Sequence, residues 1–385
     1  MKLYVIAGES SGDAHAAALM KELLGLVPDI EFYGAGGPMM REVGGSYIFQ
    51  WTQEAVLGLW DVLMKYPYFR TQFYRMFHEI AQLQPDAVIF VDYPGFNLRL
   101  ASYLHRKGFR KKKIYYISPQ VWAWNRGRIP RMAKFLDLMM CIFPFEKPLY
   151  EASGLRTEFV GHPMLARLEK RRILGGRDPK LIGLLPGSRE REVRRIFPIM
   201  LEAATILRKK DPSLRFEASA ASEKMAALIK KTAEAKGFAG IPIAVHDAAG
   251  LMQRAAVGMV ASGTATMEAS FFRFPFVLLY KVSWLTFIPG RLLVKVRHLG
   301  MPNILAGRTM IPEFIQHQAR PTSIADAVWE LYRSESARSS MIKGMDEIIL
   351  QLAEVDAGRR AAEVVLHELN RKISLPSDAT RARSL

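Results

Sequence analysis

Short apolar runs rich in β-branched and aromatic residues alternate along the chain with longer stretches of helical period. Leu3–Ala7, Ala87–Val91, Lys113–Ile117, Leu138–Phe143 and Glu158–Val160 read as strands, with helical patterns between them. The pattern restarts near residue 180. Lys180–Leu185, Leu214–Ala218, Ile243–Val245, Ala256–Val260 and Phe276–Lys281 read as strands, and Val193–Lys209 as an amphipathic helix. Helices close the chain around Ile324–Glu335 and Ala337–Leu369, before a polar tail from Ser374 to Leu385. Alternating β and α units of this length predict parallel sheets covered by helices, here in two halves. The Arg-, Gly- and Pro-rich stretch Ala166–Pro179 is the linker candidate.

In doubly wound sheets, ligands bind beyond the carboxyl ends of the strands, where helix N-termini point at them. The loops that follow strands are therefore the informative ones. Gly8-Glu9-Ser10-Ser11-Gly12-Asp13 follows the first strand and suits a phosphate or sugar hydroxyl, or is an ordinary capping turn with Ser or Asp as N-cap. Gly34-Ala35-Gly36-Gly37-Pro38 reads as a loop that only superficially resembles a dinucleotide fingerprint, since Pro38 breaks the required spacing. Asp92-Tyr93-Pro94-Gly95 offers a carboxylate at a strand end, a general-base candidate or a turn cap. Pro186-Gly187-Ser188-Arg189 lets backbone approach a phosphate while a guanidinium binds it. Ser262-Gly263-Thr264 opens a helix as a diphosphate cradle, and Glu268, one turn on, can accept hydrogen bonds from two vicinal hydroxyls.

Charge and composition narrow the classes further. The formal net charge is +17, which calls for a polyanionic neighbour such as an anionic membrane, phosphorylated substrates or nucleic acid. Residues 55–77 interleave aromatics with Lys65, Arg70 and Arg75, and place Trp60, Leu63, Tyr66, Phe69 and Phe73 as candidate membrane or acyl-chain contacts. The stretch Trp284–Arg297 has the same character. The aliphatic content favours lipid over nucleic acid, and no RNA-binding signature is present. A lone cysteine, Cys141, reads as a buried structural thiol in a reducing compartment. No signal peptide and no transmembrane run is legible, so a cytoplasmic protein is expected. No metal-ligand spacing occurs, and His15, His162 and His298 read as satisfied structural histidines.

Taken in order, AGESSGD, GAGGPMM, AVLGLWDVL, VDYPGFNLRLA, the stretch from YYISPQVWAWNRGR to CIFPFE, FVGHPM, LLPGSRERE, ASGTATMEA and MPNILAGR resemble the lipid-A-disaccharide synthase family over roughly residues 4 to 318. The resemblance implies an α/β protein with two Rossmann-like domains facing across a cleft, the GT-B arrangement. It implies an acceptor- and lipid-binding domain over 1–170, a UDP-sugar domain over 171–345, and C-terminal helices over 346–385 that pack on the first domain or on another subunit. It further implies an inverting transfer from UDP-2,3-diacylglucosamine to 2,3-diacylglucosamine 1-phosphate (lipid X), with no metal or organic cofactor. The enzyme would be peripheral on the anionic inner face of the inner membrane of Gram-negative bacteria, with no nucleic acid partner and an open oligomeric state.

By the same resemblance, Asp92 is the base. Ser188, Arg189, Ser262, Gly263, Thr264, Glu268 and Asn303 serve the UDP-sugar, and Glu9 and Ser10 line the acceptor side. Many relatives carry a second acid at the place where this chain has Gly95, so Asp92 acts alone. Two rivals stay open: another UDP-sugar transferase or epimerase, and a non-catalytic basic lipid-binding protein.

Overall fold

The computed structural model describes residues 1–51, 66–283, 287, 296–353 and 356–369. The chain divides into two compact units. The first comprises Met1–Pro163 with the described residues from Leu352 on, and the second Met164–Gln351.

Among the described residues the first unit carries seven parallel strands: β1 (Lys2–Ala7), β2 (Glu31–Gly36), β3 (Ile48–Gln50), β4 (Ala87–Val91), β5 (Lys112–Tyr116), β6 (Leu138–Cys141) and β7 (Thr157–Phe159). Their order in the sheet is β3-β2-β1-β4-β5-β6-β7. The second unit repeats the plan with β8 (Asp178–Leu185), β9 (Arg215–Ala220), β10 (Ile243–Val245), β11 (Ala255–Ala261), β12 (Phe276–Tyr280) and β13 (Glu313–Ile315), in the order β10-β9-β8-β11-β12-β13. Strand order therefore reverses between β1 and β4 in one sheet and between β8 and β11 in the other. A crevice opens at such a reversal because the flanking helices leave to opposite faces.

The central strands are buried on both faces, which is why they read as unbroken apolar runs: β4, AVIFV, is buried at every position. β2 was read as a loop because of its glycines. Gly34 is required there, since a Cβ at that position would stand 1.9 Å from the Val5 carbonyl oxygen of the neighbouring strand. The linker stretch instead holds the short helix Met164–Glu169 and the start of β8. The C-terminal helix Ala357–Glu368 packs on Ser10–Leu26, and its buried Glu368 bonds Lys112 and Arg156, both at 2.6 Å.

Candidate active site

The loops singled out in the sequence fall on both reversal points. In the first unit the chain leaves β1 through Gly8 into the helix Ser10–Leu26. A Cβ on Gly8 would lie 2.2 Å from the Tyr93 ring, so only glycine lets the β1 and β4 loops pack together. Glu9 is the N-cap residue, yet its side chain makes no capping bond, and Glu9 and Ser10 are exposed.

Asp13 does not cap its own helix, the role left open for it as one alternative. Its buried carboxylate accepts from the N–H groups of Gly37 (2.7 Å), Met39 (3.0 Å) and Met40 (3.0 Å), and so caps the helix Pro38–Gly44 instead. Its spacing from a second loop, far along the chain, gave no local signal.

Beyond β4, Asp92 and Tyr93 both adopt left-handed backbone, each with φ of 48°. A non-glycine residue held there costs on the order of 1–3 kcal/mol, so the surroundings must fix it. They do: the Asp92 N–H donates to the Tyr116 carbonyl (2.9 Å), and its carbonyl accepts from the Asn97 amide (2.7 Å) and the Tyr115 hydroxyl (2.6 Å). Beneath them, Trp51 donates its indole N–H to the Ala7 carbonyl (2.6 Å) and packs against Tyr93 and Phe96.

The backbone of Asp92 is thus anchored at three points, while its carboxylate pairs with no basic side chain among the described residues. Burial pushes the Asp92 carboxyl above the ordinary range. The negative charge of Glu9 pushes it further, and the Tyr93 N–H opposes both. These are the conditions for a carboxylate that accepts a proton from a bound hydroxyl. Phe69 and Phe73, expected at a lipid surface, lie on the core-facing side of their helix, against Trp51 and Phe96. Trp60, Leu63 and the Tyr66 side chain lie outside the described residues, as does most of 284–297.

The next strand end carries a group that the sequence reading passed over. Glu146 is fully buried and accepts from the Ser118 hydroxyl (2.6 Å), the Trp122 indole (2.8 Å) and the Phe143 N–H (3.2 Å). It joins the loop after β5 to the loop after β6. Burial pushes its carboxyl up to about 7, against those hydrogen bonds.

In the second unit the chain leaves β8 through Pro186 and Gly187, the latter at φ 107°. Arg189 caps the helix Glu190–Lys210. Its guanidinium meets Glu192 at 2.9 Å, and both side chains remain solvent-accessible. So exposed a pair contributes little, which leaves the guanidinium available for a stronger anion. Ser188 is exposed beside it.

After β11, Gly263 takes φ 153° with open space where a Cβ would stand, and the helix Thr264–Phe271 begins. Its free N–H groups and positive dipole end favour an anion. Glu268, mostly buried, meets Arg167 at 3.1 Å. Burial raises its carboxyl, while Arg167 and then Arg171 pull it down.

Asn303 lies on the helix Met301–Ala306, which packs against Thr264–Phe271. Its amide nitrogen donates to the Ile311 carbonyl and Glu313, and its oxygen accepts from Met310 and Ile311, all at 2.8–2.9 Å. Every hydrogen-bonding valence is filled, so Asn303 fastens its helix to β13 and has none left for a ligand. Glu313, missed in the sequence, completes that cluster through the N–H groups of Leu299 and Gly300.

The Nε2 of His298 is buried without a partner among the described residues, contrary to the satisfied role expected for it. Among the described residues no group of three or more His, Cys, Asp or Glu side chains could hold a metal ion.

Two parallel α/β units, each with ligand-type loops at its strand reversal, define a GT-B-type fold. Solved structures share this fold. One is UDP-GlcNAc 2-epimerase from Neisseria meningitidis bound to UDP-GlcNAc (11% identity, TM-score 0.57, 97% of this chain and 100% of that one). Another is S. aureus MnaA with UDP (14% identity, TM-score 0.62, 98% and 99%).

The particular family is set by sequence. The lipid-A-disaccharide synthetase family matches residues 3–366, and the chain belongs to it. The lipid-A-disaccharide synthase of Geobacter sulfurreducens is 35% identical over 382 residues, covering 97% of this chain and 98% of that protein. That of Persephonella marina is 36% identical over 382 residues, covering 94% and 98%. This family is one of UDP-sugar glycosyltransferases, and neither the epimerase nor the non-catalytic alternative is favoured.

Proposed function

We propose that this protein joins UDP-2,3-diacylglucosamine to 2,3-diacylglucosamine 1-phosphate, giving a β-1,6-linked disaccharide and UDP in a single inverting displacement. The acceptor 6-hydroxyl oxygen attacks the anomeric carbon, and Asp92 takes the hydroxyl proton. The anomeric C–O bond breaks, and UDP leaves with the electron pair. Arg189 and the N–H groups at Gly263 and Thr264 hold the diphosphate, with Ser188 and Ser262 beside them. Glu268 accepts the ribose hydroxyls, and Glu9 and Ser10 border the acceptor. Asn303 acts through the loop it fastens. The observation that carries this reading is Asp92: a carboxylate at the β1/β4 reversal, without a basic partner among the described residues and made more basic by burial and by Glu9.

The enzyme would work at the anionic inner face of the inner membrane, as a peripheral protein. The charge of +17 supports this, and no helix among the described residues is long and apolar enough to cross a membrane. The test is UDP release by the purified protein given both acylated monosaccharides. Release should require both and be far slower with a non-acylated donor. Release from the donor alone, or equal use of non-acylated sugars, would overturn the assignment.

A further inference from the structure

The segment between β5 and β6 is rich in basic side chains. From Pro119 to Leu136 it holds Arg126, Arg128, Arg131 and Lys134 and no acidic residue. Several basic residues near it are paired: Lys112 and Arg156 with Glu368, Lys113 with Asp137 and Lys147 with Glu158. Arg126 instead donates its Nε to the Trp122 carbonyl (3.0 Å), and Arg128 lies 4.8 Å from the centre of the Trp124 ring. None of the four meets a carboxylate among the described residues.

Trp124 is 42% exposed and packs on no other ring among the described residues. The start of the segment is anchored. Glu146 accepts from Ser118 and Trp122, and Tyr150 donates its hydroxyl to the Pro119 carbonyl at 2.6 Å. An exposed tryptophan beside guanidinium groups that meet no carboxylate fits a sugar ring bearing a compact dianion. β5 lies next to β4, and the Tyr116 carbonyl at its end accepts the Asp92 N–H, so the patch grows from the strand end that holds the proposed base.

Resting on the transferase reading, we infer that Arg126 and Arg128, with Trp124, bind the phosphomonoester of the acylated acceptor sugar. The same chemistry is offered by a phosphomonoester lipid in the membrane, so the test separates the two sources. The Arg126→Ala/Arg128→Ala double variant of the full chain is compared with the parent in three ways. The first is calorimetric binding of 2,3-diacylglucosamine 1-phosphate and of its dephosphorylated form. The second is acceptor KM and kcat. The third is sedimentation with phosphatidylcholine vesicles with and without phosphatidic acid.

The phosphorylated sugar should bind on the order of tenfold or more weakly to the variant, with KM rising and kcat little changed. The dephosphorylated sugar should bind both proteins alike, and vesicle binding should not change. Unchanged affinity for the phosphorylated sugar overturns the inference. So does loss of phosphatidic acid vesicle binding with KM intact, which would make the patch a membrane contact. If the parent protein releases no UDP, the transferase reading fails, and the calorimetric comparison alone still decides whether the patch selects the phosphate. Thermal unfolding of the variant at the parent's midpoint excludes a folding defect.

Discussion

At the β1/β4 reversal the chain turns through two left-handed residues that are not glycine, Asp92 and Tyr93. At the β8/β11 reversal it turns through Gly187 and Gly263. The first arrangement fixes one side chain: three backbone hydrogen bonds and an aromatic layer hold Asp92 in a costly conformation and leave its carboxylate unspent. The second removes side chains, bares N–H groups at helix starts, and adds an exposed arginine. On the proposed reading, the first loop holds a proton acceptor at a defined point and the second receives a diffuse anion. The same strand order serves both because the reversal supplies only the crevice, and the loop backbone decides what it offers.

The sharpest break of this contrast is Asp92→Asn, which keeps the shape and removes the basicity. Turnover should fall by about 100- to 10,000-fold, measured as UDP release with both substrates saturating. Arg189→Ala strikes the other end. It should cost on the order of 100-fold in kcat/KM, the scale for losing one preorganised charge stabiliser.

A third test concerns the support beneath the first end. Folded Glu146 keeps its proton up to about pH 7, whereas an unfolded glutamate loses it near 4.5. Its contribution is therefore full below pH 4.5 and lost as pH rises through 7, a change of about 3 kcal/mol. Chemical denaturation at pH 5 and pH 7.5 should show this fall in the parent, and Glu146→Gln should largely abolish it. The smallest effect is Glu9→Gln. Removing its charge takes away the second cause of the raised Asp92 carboxyl, so the acidic limb of kcat/KM should move to lower pH. An unmoved limb would show that Glu9 does not tune the base.

The strands buried on both faces were legible because their apolar runs are unbroken: Ala87–Val91 coincides with β4, which is buried at every position. β2, β3 and β13 escaped notice, β2 because close strand approach requires Gly34, and β3 and β13 because each is a three-residue edge strand that includes a polar residue, IFQ and EFI. The loops after β1, β4, β8 and β11 could be found from glycine, serine and acid placement at strand ends. The groups that hold them could not. Asp13 caps a helix whose start is 24 residues on, Glu146 grips Ser118 from 28 residues away, and Arg167 meets Glu268 across 101. Such pairings depend on which strand ends lie side by side, and that is a property of sheet order. Phe69 and Phe73, read as lipid contacts from aromatic density beside arginine, pack against Trp51 and Phe96 and stay partly exposed.

The most direct measurement is a calorimetric titration of UDP into the parent, Asp92→Asn and Arg189→Ala proteins side by side. The division of labour predicts parent-like UDP affinity in the inactive Asp92→Asn protein and clearly weaker affinity in Arg189→Ala. Equal weakening in both variants, or none in Arg189→Ala, would contradict it.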